Sequence, residues 1–185
     1  MKEMVVYFSE TGFTKKYVES IERRIPGIEV KFIKNLKKKD VLDKDMIIYA
    51  GPIRGNKILG LDKFLKHYKH MEDKEIFILG VGIEPISETK KENVIYANGL
   101  EFYHVRLFLL PGGMNLKNMK PAKRKMLQMS MKFASKKNPM VKQNLDMFER
   151  ELDLTNINLL DPILDKYHIV KVRRMNKENA KGDNN

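Results

Sequence analysis

A doubly wound α/β domain with five parallel strands is the fold class this sequence predicts, on three observations. Four apolar runs of strand length lie at 4–8, 46–50, 76–81 and 105–110. Three of them are almost unbroken, the mark of strands covered by helices on both faces. Between them, apolar residues recur at i, i+3, i+4 and i+7, so strands alternate with helices. Finally, the first strand runs directly into a hydroxyl-rich turn with one glycine, and that turn opens a helical pattern.

Each element follows in order. After the strand at 4–8, the turn Ser9, Glu10, Thr11, Gly12, Phe13, Thr14 leads into a helix with Tyr17, Val18, Ile21 and Ile25 on one face. Next, Ile28, Val30 and Phe32 alternate with Glu29 and Lys31, which predicts a partly covered strand at a sheet edge. Residues 34–45 form a crossover anchored by Leu36, Val41 and Leu42. The strand at 46–50 is followed by an irregular loop at 52–60 and a helical pattern of Leu61, Phe64, Leu65 and Tyr68. After the strand at 76–81 come a turn at 82–85 and a more polar surface helix at 87–98, and 105–110 is the fifth strand. With the alternating strand at the edge and the first and third inside, the order is 2-1-3-4-5, and its switch point lies between the first and third strands.

One domain is expected over 1–172, with an insertion at about 112–150 that a minimal five-strand fold does not need. The insertion holds Met114, Met119, Met126, Met129, Met131, Met140 and Met147 among many lysines. On a helix from Pro121, Met126, Met129 and Phe133 share a face that serves as adaptable core, as a lid or as a membrane-surface contact. A closing helix is expected at 157–172 and a disordered polar tail at 173–185.

The 185 residues include no cysteine, which excludes thiolate catalysis, disulfide frameworks, iron–sulfur clusters and cysteine zinc sites. Net charge is +12 and the sequence pI is about 9.7. Such a balance attracts nucleic acid, an anionic bilayer or an acidic substrate. The lysines are scattered, with little aromatic interleaving, which ranks nucleic acid last. No apolar run approaches the roughly 18 residues of a membrane span, and the chain start enters a strand, so a cytoplasmic protein is expected, with peripheral contact at the inner face of the membrane left open. His67 and His70 stand three apart without a third ligand, so no metal site is expected, and His104 and His168 read as structural. Oligomeric state is not fixed by any of these features.

Strand–turn–helix geometry makes the 9–14 turn a phosphate cup. Backbone N–H groups at a helix start point outward, Gly12 permits close approach, and Ser9, Thr11 and Thr14 add hydroxyl donors. No lysine closes the turn as in a nucleotide-hydrolysing loop, and the three spaced glycines of a dinucleotide fold are missing, so a single phosphate monoester suits it best. Topology gathers three loops at the switch point, 9–14, 52–60 and 82–85. The second contributes the cation Arg54, and the third contributes Gly82, where a planar ligand can lie against main chain.

With these residues in place, the chain resembles the flavodoxins, whose phosphate loop Ser/Thr-x-Thr-Gly-x-Thr is matched by Ser9, Thr11, Gly12 and Thr14. The likeness in element order covers residues 1–110. In Ala50-Gly51-Pro52-Ile53-Arg54 and in the basic, methionine-rich insertion, the chain also looks like the flavodoxin-domain branch that includes menaquinone-dependent protoporphyrinogen oxidase, a likeness reaching residue 135. The resemblance implies flavin mononucleotide (FMN), with its phosphate at Ser9, Glu10, Thr11, Gly12, Phe13 and Thr14. Its ring would lie between Pro52, Ile53, Arg54, Gly55 and Asn56 on one side and Gly82, Ile83 and Glu84 on the other. Flavodoxins commonly sandwich the ring between aromatic side chains of these loops, whereas neither loop here holds one and the chain has no tryptophan. Ile53 and Ile83 would then supply the apolar contact, leaving one ring face open to a substrate.

Charge bears on direction. Reduced flavin is an anion at neutral pH, and a basic protein with Arg54 beside the ring stabilises it, raising the potential. The expectation is an FMN-dependent oxidoreductase that takes electrons from a small substrate, a porphyrinogen being one candidate by resemblance, and passes them to a quinone or a redox partner protein. Arg54 is the candidate residue for flavin tuning or substrate contact, or equally a surface guanidinium paired with a carboxylate. The rival expectation is a non-enzymatic electron carrier or protein-binding module.

Overall fold

The computed structural model describes residues 1–114 and 152–182, together with 121, 122, 125 and 129. Of the methionine stripe expected on a helix from Pro121, Met129 lies among the described residues and is exposed, while Met126 and Phe133 lie outside them.

Five parallel strands form the centre: β1 (Glu3–Tyr7), β2 (Glu29–Phe32), β3 (Met46–Arg54), β5 (Glu75–Gly82) and β6 (Arg106–Pro111). They lie in the order β2-β1-β3-β5-β6, with the short β4 (Lys57–Ile58) paired to β3 alone. Counting only the five long strands, this is 2-1-3-4-5, as the hydropathy pattern predicts, with the alternating β2 at the edge. β1 and β3 align Val5 with Ile48 and Tyr7 with Ala50, and β3 and β5 align Ala50 with Leu79 and Pro52 with Val81.

Alternate strand residues feed two cores, one on each face of the sheet. On one face Val5, Ile48, Phe77 and Leu79 pack with Phe13, Tyr17, Val18 and Ile21 of α1 (Phe13–Arg24). Ile163, Leu164 and Tyr167 of the last helix complete that core. On the other face Met4, Val6, Ile47, Tyr49 and Ile78 pack with Val41 of α2 (Lys38–Leu42), Phe64 of α3 (Leu61–Leu65) and Val94 of α4 (Glu88–Asn98). Burial on both faces is the reason the strand sequences show no alternation.

Two elements differ from the pattern in the sequence. The helical repeat through Tyr68 is divided into α3 and a separate 3-10 turn, Tyr68–His70. The Tyr68 hydroxyl there accepts a hydrogen bond from the His104 amide at 2.9 Å, and its ring meets Tyr103 edge-on, contacts that draw the chain out of the helix. The last helix, α5 (Asp161–Gly182), continues past residue 172 into the segment for which disorder is expected. Val170 is its last buried residue among those whose side chains are described, and no proline follows to break the helix.

Beyond β6 the chain leaves the sheet through a two-stranded antiparallel ribbon, β7 (Gly113–Met114) paired with β8 (Leu152–Asp153). The ribbon is pinned to α1. The Tyr17 hydroxyl donates to the Pro111 carbonyl at 2.6 Å and accepts from the Asn156 amide at 3.0 Å, so one phenol holds both the exit and the return of the segment 115–151. Burial pushes this phenol's pKa up. Gly113 lies against the Phe13 ring so closely that a Cβ would stand 2.4 Å from Cε1, and Lys16 forms an ion pair with Asp153.

Candidate functional site

At the carboxyl end of β1 the strand pairing extends one residue, Phe8 N–H to the Ala50 carbonyl at 2.9 Å, and then the chain turns. Ser9 Oγ accepts from the Gly12 amide at 3.2 Å, closing the turn on itself. Gly12 sits at φ +96° and serves as the N-cap of α1. Having no side chain, it caps none of the amides of the first turn, and that turn contains no acidic residue. The positive end of the helix dipole is therefore presented bare at the mouth of the turn, the physical requirement for holding an anion. A Cβ at Gly12 would meet nothing within 4 Å, so the space beside the turn is open. Ser9, Glu10, Thr11 and Gly12 are half-buried, whereas Phe13 and Thr14 are buried. The fit of this end to a phosphate rests on that bare helix start.

Ring-side residues are held differently. The 52–60 loop is a hairpin: β3 runs on through Pro52, Ile53 and Arg54, turns at Gly55 and Asn56, and returns as β4, with Ile53 opposite Ile58 and Arg54 opposite Lys57. Gly-Asn between two strand residues is a two-residue hairpin signal, and it is legible in the sequence. Ile53 does not stand free. Its side chain lies across Gly80 and Gly82 of β5, with Cδ1 2.9 Å from where a Gly80 Cβ would be.

Ile53, Gly82, Ile83, Glu84, Ile86 and Lys90, with Leu109 and Leu110, line a small cleft of about 20 Å³. No aromatic side chain and no histidine lines it. An apolar floor with a polar rim matches a planar heteroaromatic group in chemistry.

Two ion pairs at this end could not be read from the sequence. Arg54 Nη2 lies 2.6 Å from Glu10 Oε2, joining the ring-side hairpin to the phosphate turn across the switch point. Lys90 Nζ donates to Glu84 Oε2 at 2.7 Å and to the Gly55 carbonyl and Asn56 Oδ1 at 2.9 Å each. Asn98, also on α4, accepts from the Ile58 amide at 3.0 Å and donates to the Asn56 carbonyl at 2.8 Å. Both cations beside the cleft are thus matched by carboxylates, and Arg54 is not the isolated charge that the field argument supposes. Among the described residues, Lys37, Lys38, Lys39, Lys63, Lys66 and Lys69 are exposed on the α2 and α3 side. There burial, then Lys38, Lys69 and His67, lowers the His70 pKa. No group of three potential metal ligands occurs among the described residues, and none of their helices is long and apolar enough to cross a membrane.

A parallel sheet in this strand order, whose first strand runs through a glycine N-cap into α1, defines a doubly wound α/β protein. The chain belongs to the flavodoxin domain family, whose model matches residues 4–140. A search of curated proteins by sequence finds no match. Among solved structures, a flavodoxin from the domain Archaea is 20% identical, covering 59% of this chain and 83% of its own, with a TM-score of 0.45. A flavoprotein in complex with FMN from Lactobacillus acidophilus is 15% identical over 60% of this chain and 91% of its own (TM-score 0.45). The two-electron reduced flavodoxin of Megasphaera elsdenii is 19% identical over 57% and 83% (TM-score 0.43).

Proposed function

We propose that this chain binds FMN and works as an oxidoreductase, taking electrons from a small substrate and passing them to a quinone or another acceptor. One observation carries the reading: the uncapped, acid-free start of α1 lies at the switch point of a flavodoxin-family sheet, and the Arg54–Glu10 ion pair joins the turn before it to the 53–56 hairpin. FMN, when bound, supplies the hydride and single-electron chemistry. Phosphate contacts fall to the amides at the start of α1 with Ser9, Thr11 and Thr14. Ile53, Gly82 and Ile83 would give the ring apolar support, leaving a small molecule to approach it from elsewhere in the site. A porphyrinogen remains the candidate substrate by resemblance, its carboxylates suiting a basic protein.

A second reading, an electron carrier that docks a protein, gains from the paired state of Arg54 and Lys90, which removes the local positive field expected to favour electron uptake from a substrate. Steady-state oxidation of a small substrate with a quinone and no protein partner separates the two, since a pure carrier gives no turnover. Binding itself is tested by titrating FMN and riboflavin into the protein. FMN is expected to bind on the order of a hundredfold more tightly, the difference supplied by charge-assisted hydrogen bonds to the phosphate. Replacing Thr11 and Thr14 by valine should shrink that ratio. Equal affinity for both flavins in the wild-type protein sinks the assignment.

A further inference from the structure

Lys90 occupies the third position of α4, where Ser87 caps the helix by accepting from the Lys90 amide at 3.1 Å. A cation in the first turn faces the positive end of the helix dipole, an unfavourable arrangement. Here the ammonium is turned back over the helix start, its side chain only 11% exposed, and each of its three protons has an acceptor: Glu84 Oε2, the Gly55 carbonyl and Asn56 Oδ1. Two of those acceptors are the turn of the ring-side hairpin, and the third lies in the loop after β5. One side chain therefore joins both loops of the cleft that it also lines.

We propose that Lys90 is a positioning residue for the ring of the bound flavin, a role that rests on the FMN reading above. It fixes the separation of the 53–56 and 82–86 loops and offsets the charge of Glu84 at the cleft. A lysine that only stabilised the fold would not set the reduction potential of a ligand. Lys90 does, because its loss leaves the Glu84 carboxylate facing the anion formed on reduction.

The test uses the full chain, titrated with FMN and with riboflavin, followed by measurement of the midpoint potential of bound FMN. Lys90→Met should weaken both flavins equally, by about tenfold, the scale of one charge-assisted hydrogen bond, leaving their ratio intact. The potential should move to more negative values. Adding Glu84→Gln to that variant should return the potential toward wild type without restoring affinity, and Lys90→Arg should keep the potential while recovering part of the affinity. Unchanged affinity and potential in Lys90→Met, or a shift that Glu84→Gln fails to reverse, would overturn the inference alone. A wild-type protein that takes up neither flavin would overturn the FMN reading and this role together.

Discussion

The turn at 9–14 at one end of the candidate site and the cleft beside Gly82 at the other are built by opposite means. Residues 9–14 are contiguous: a strand end, a serine that accepts from Gly12, and a glycine that starts a helix. The cleft is assembled from three distant pieces, the β3–β4 hairpin, the loop after β5 and α4, and polar side chains of α4 hold the pieces together. The contrast teaches that an anion site needs only local backbone geometry, while a site for a flat ring needs a fixed gap between separate segments, which only tertiary contacts supply.

Variants at each end should therefore fail in different ways. Gly12→Val forces a β-branched residue to φ +96° and should have the largest effect. FMN affinity should fall on the order of a hundredfold in a quenching titration, with riboflavin far less affected. Comparable losses for the two flavins would erase the distinction between the ends. Asn98→Ala removes the acceptor of the Ile58 amide and the donor to the Asn56 carbonyl, so urea unfolding should register a loss of about 2 kcal/mol. A stability within a few tenths of a kcal/mol of wild type would mean the hairpin holds itself.

Arg54→Gln should act between the two ends. Removing the guanidinium that offsets Glu10 beside the phosphate turn should cost FMN about tenfold in affinity and riboflavin little, and Glu10→Gln in the same chain should restore it. Failure of the double variant to recover would assign Arg54 to the ligand directly. Smallest is Asp153→Asn at the ribbon. Lys16 first, and then Thr155, hold the Asp153 pKa at about 2, below its ordinary 3.8. This carboxylate thus stabilises the fold fully above about pH 4 and loses that contribution as pH falls through about 2. The pair is well exposed, so the variant should lose under about 1 kcal/mol at pH 7. The gap between variant and wild type should close toward pH 2 in thermal melts, and a constant gap would place the stabilisation elsewhere.

The same contrast explains what could be read from the residues in advance. Unbroken apolar strands and the alternating β2 reveal the sheet order, because burial on both faces or on one is written into neighbouring positions. The turn at 9–14 is legible for the same reason. Gly55-Asn56 signals its hairpin too, although Pro52 disguises the strand that leads into it. Nothing near Lys90 in sequence points to Gly55 and Asn56, more than thirty residues away, and a lysine in a polar helix reads as solvated surface. Likewise, the sequence leaves Arg54 open between a ligand and a carboxylate until folding brings Glu10 to it, and Tyr17 reads as one more apolar anchor while its hydroxyl joins two distant parts of the chain.

The ribbon on α1 has a consequence for how this domain tolerates change. Because β7 and β8 lie side by side with Tyr17 fastening both, any sequence grafted between Met114 and Leu152 starts and finishes at a ready-made socket. Closing a flexible loop there grows more expensive by only about 0.6 kcal/mol for each doubling of length. Cargo of very different size could accordingly be exchanged at that port without disturbing strand registry, and it would always emerge next to Phe13 and Lys16 at the start of α1.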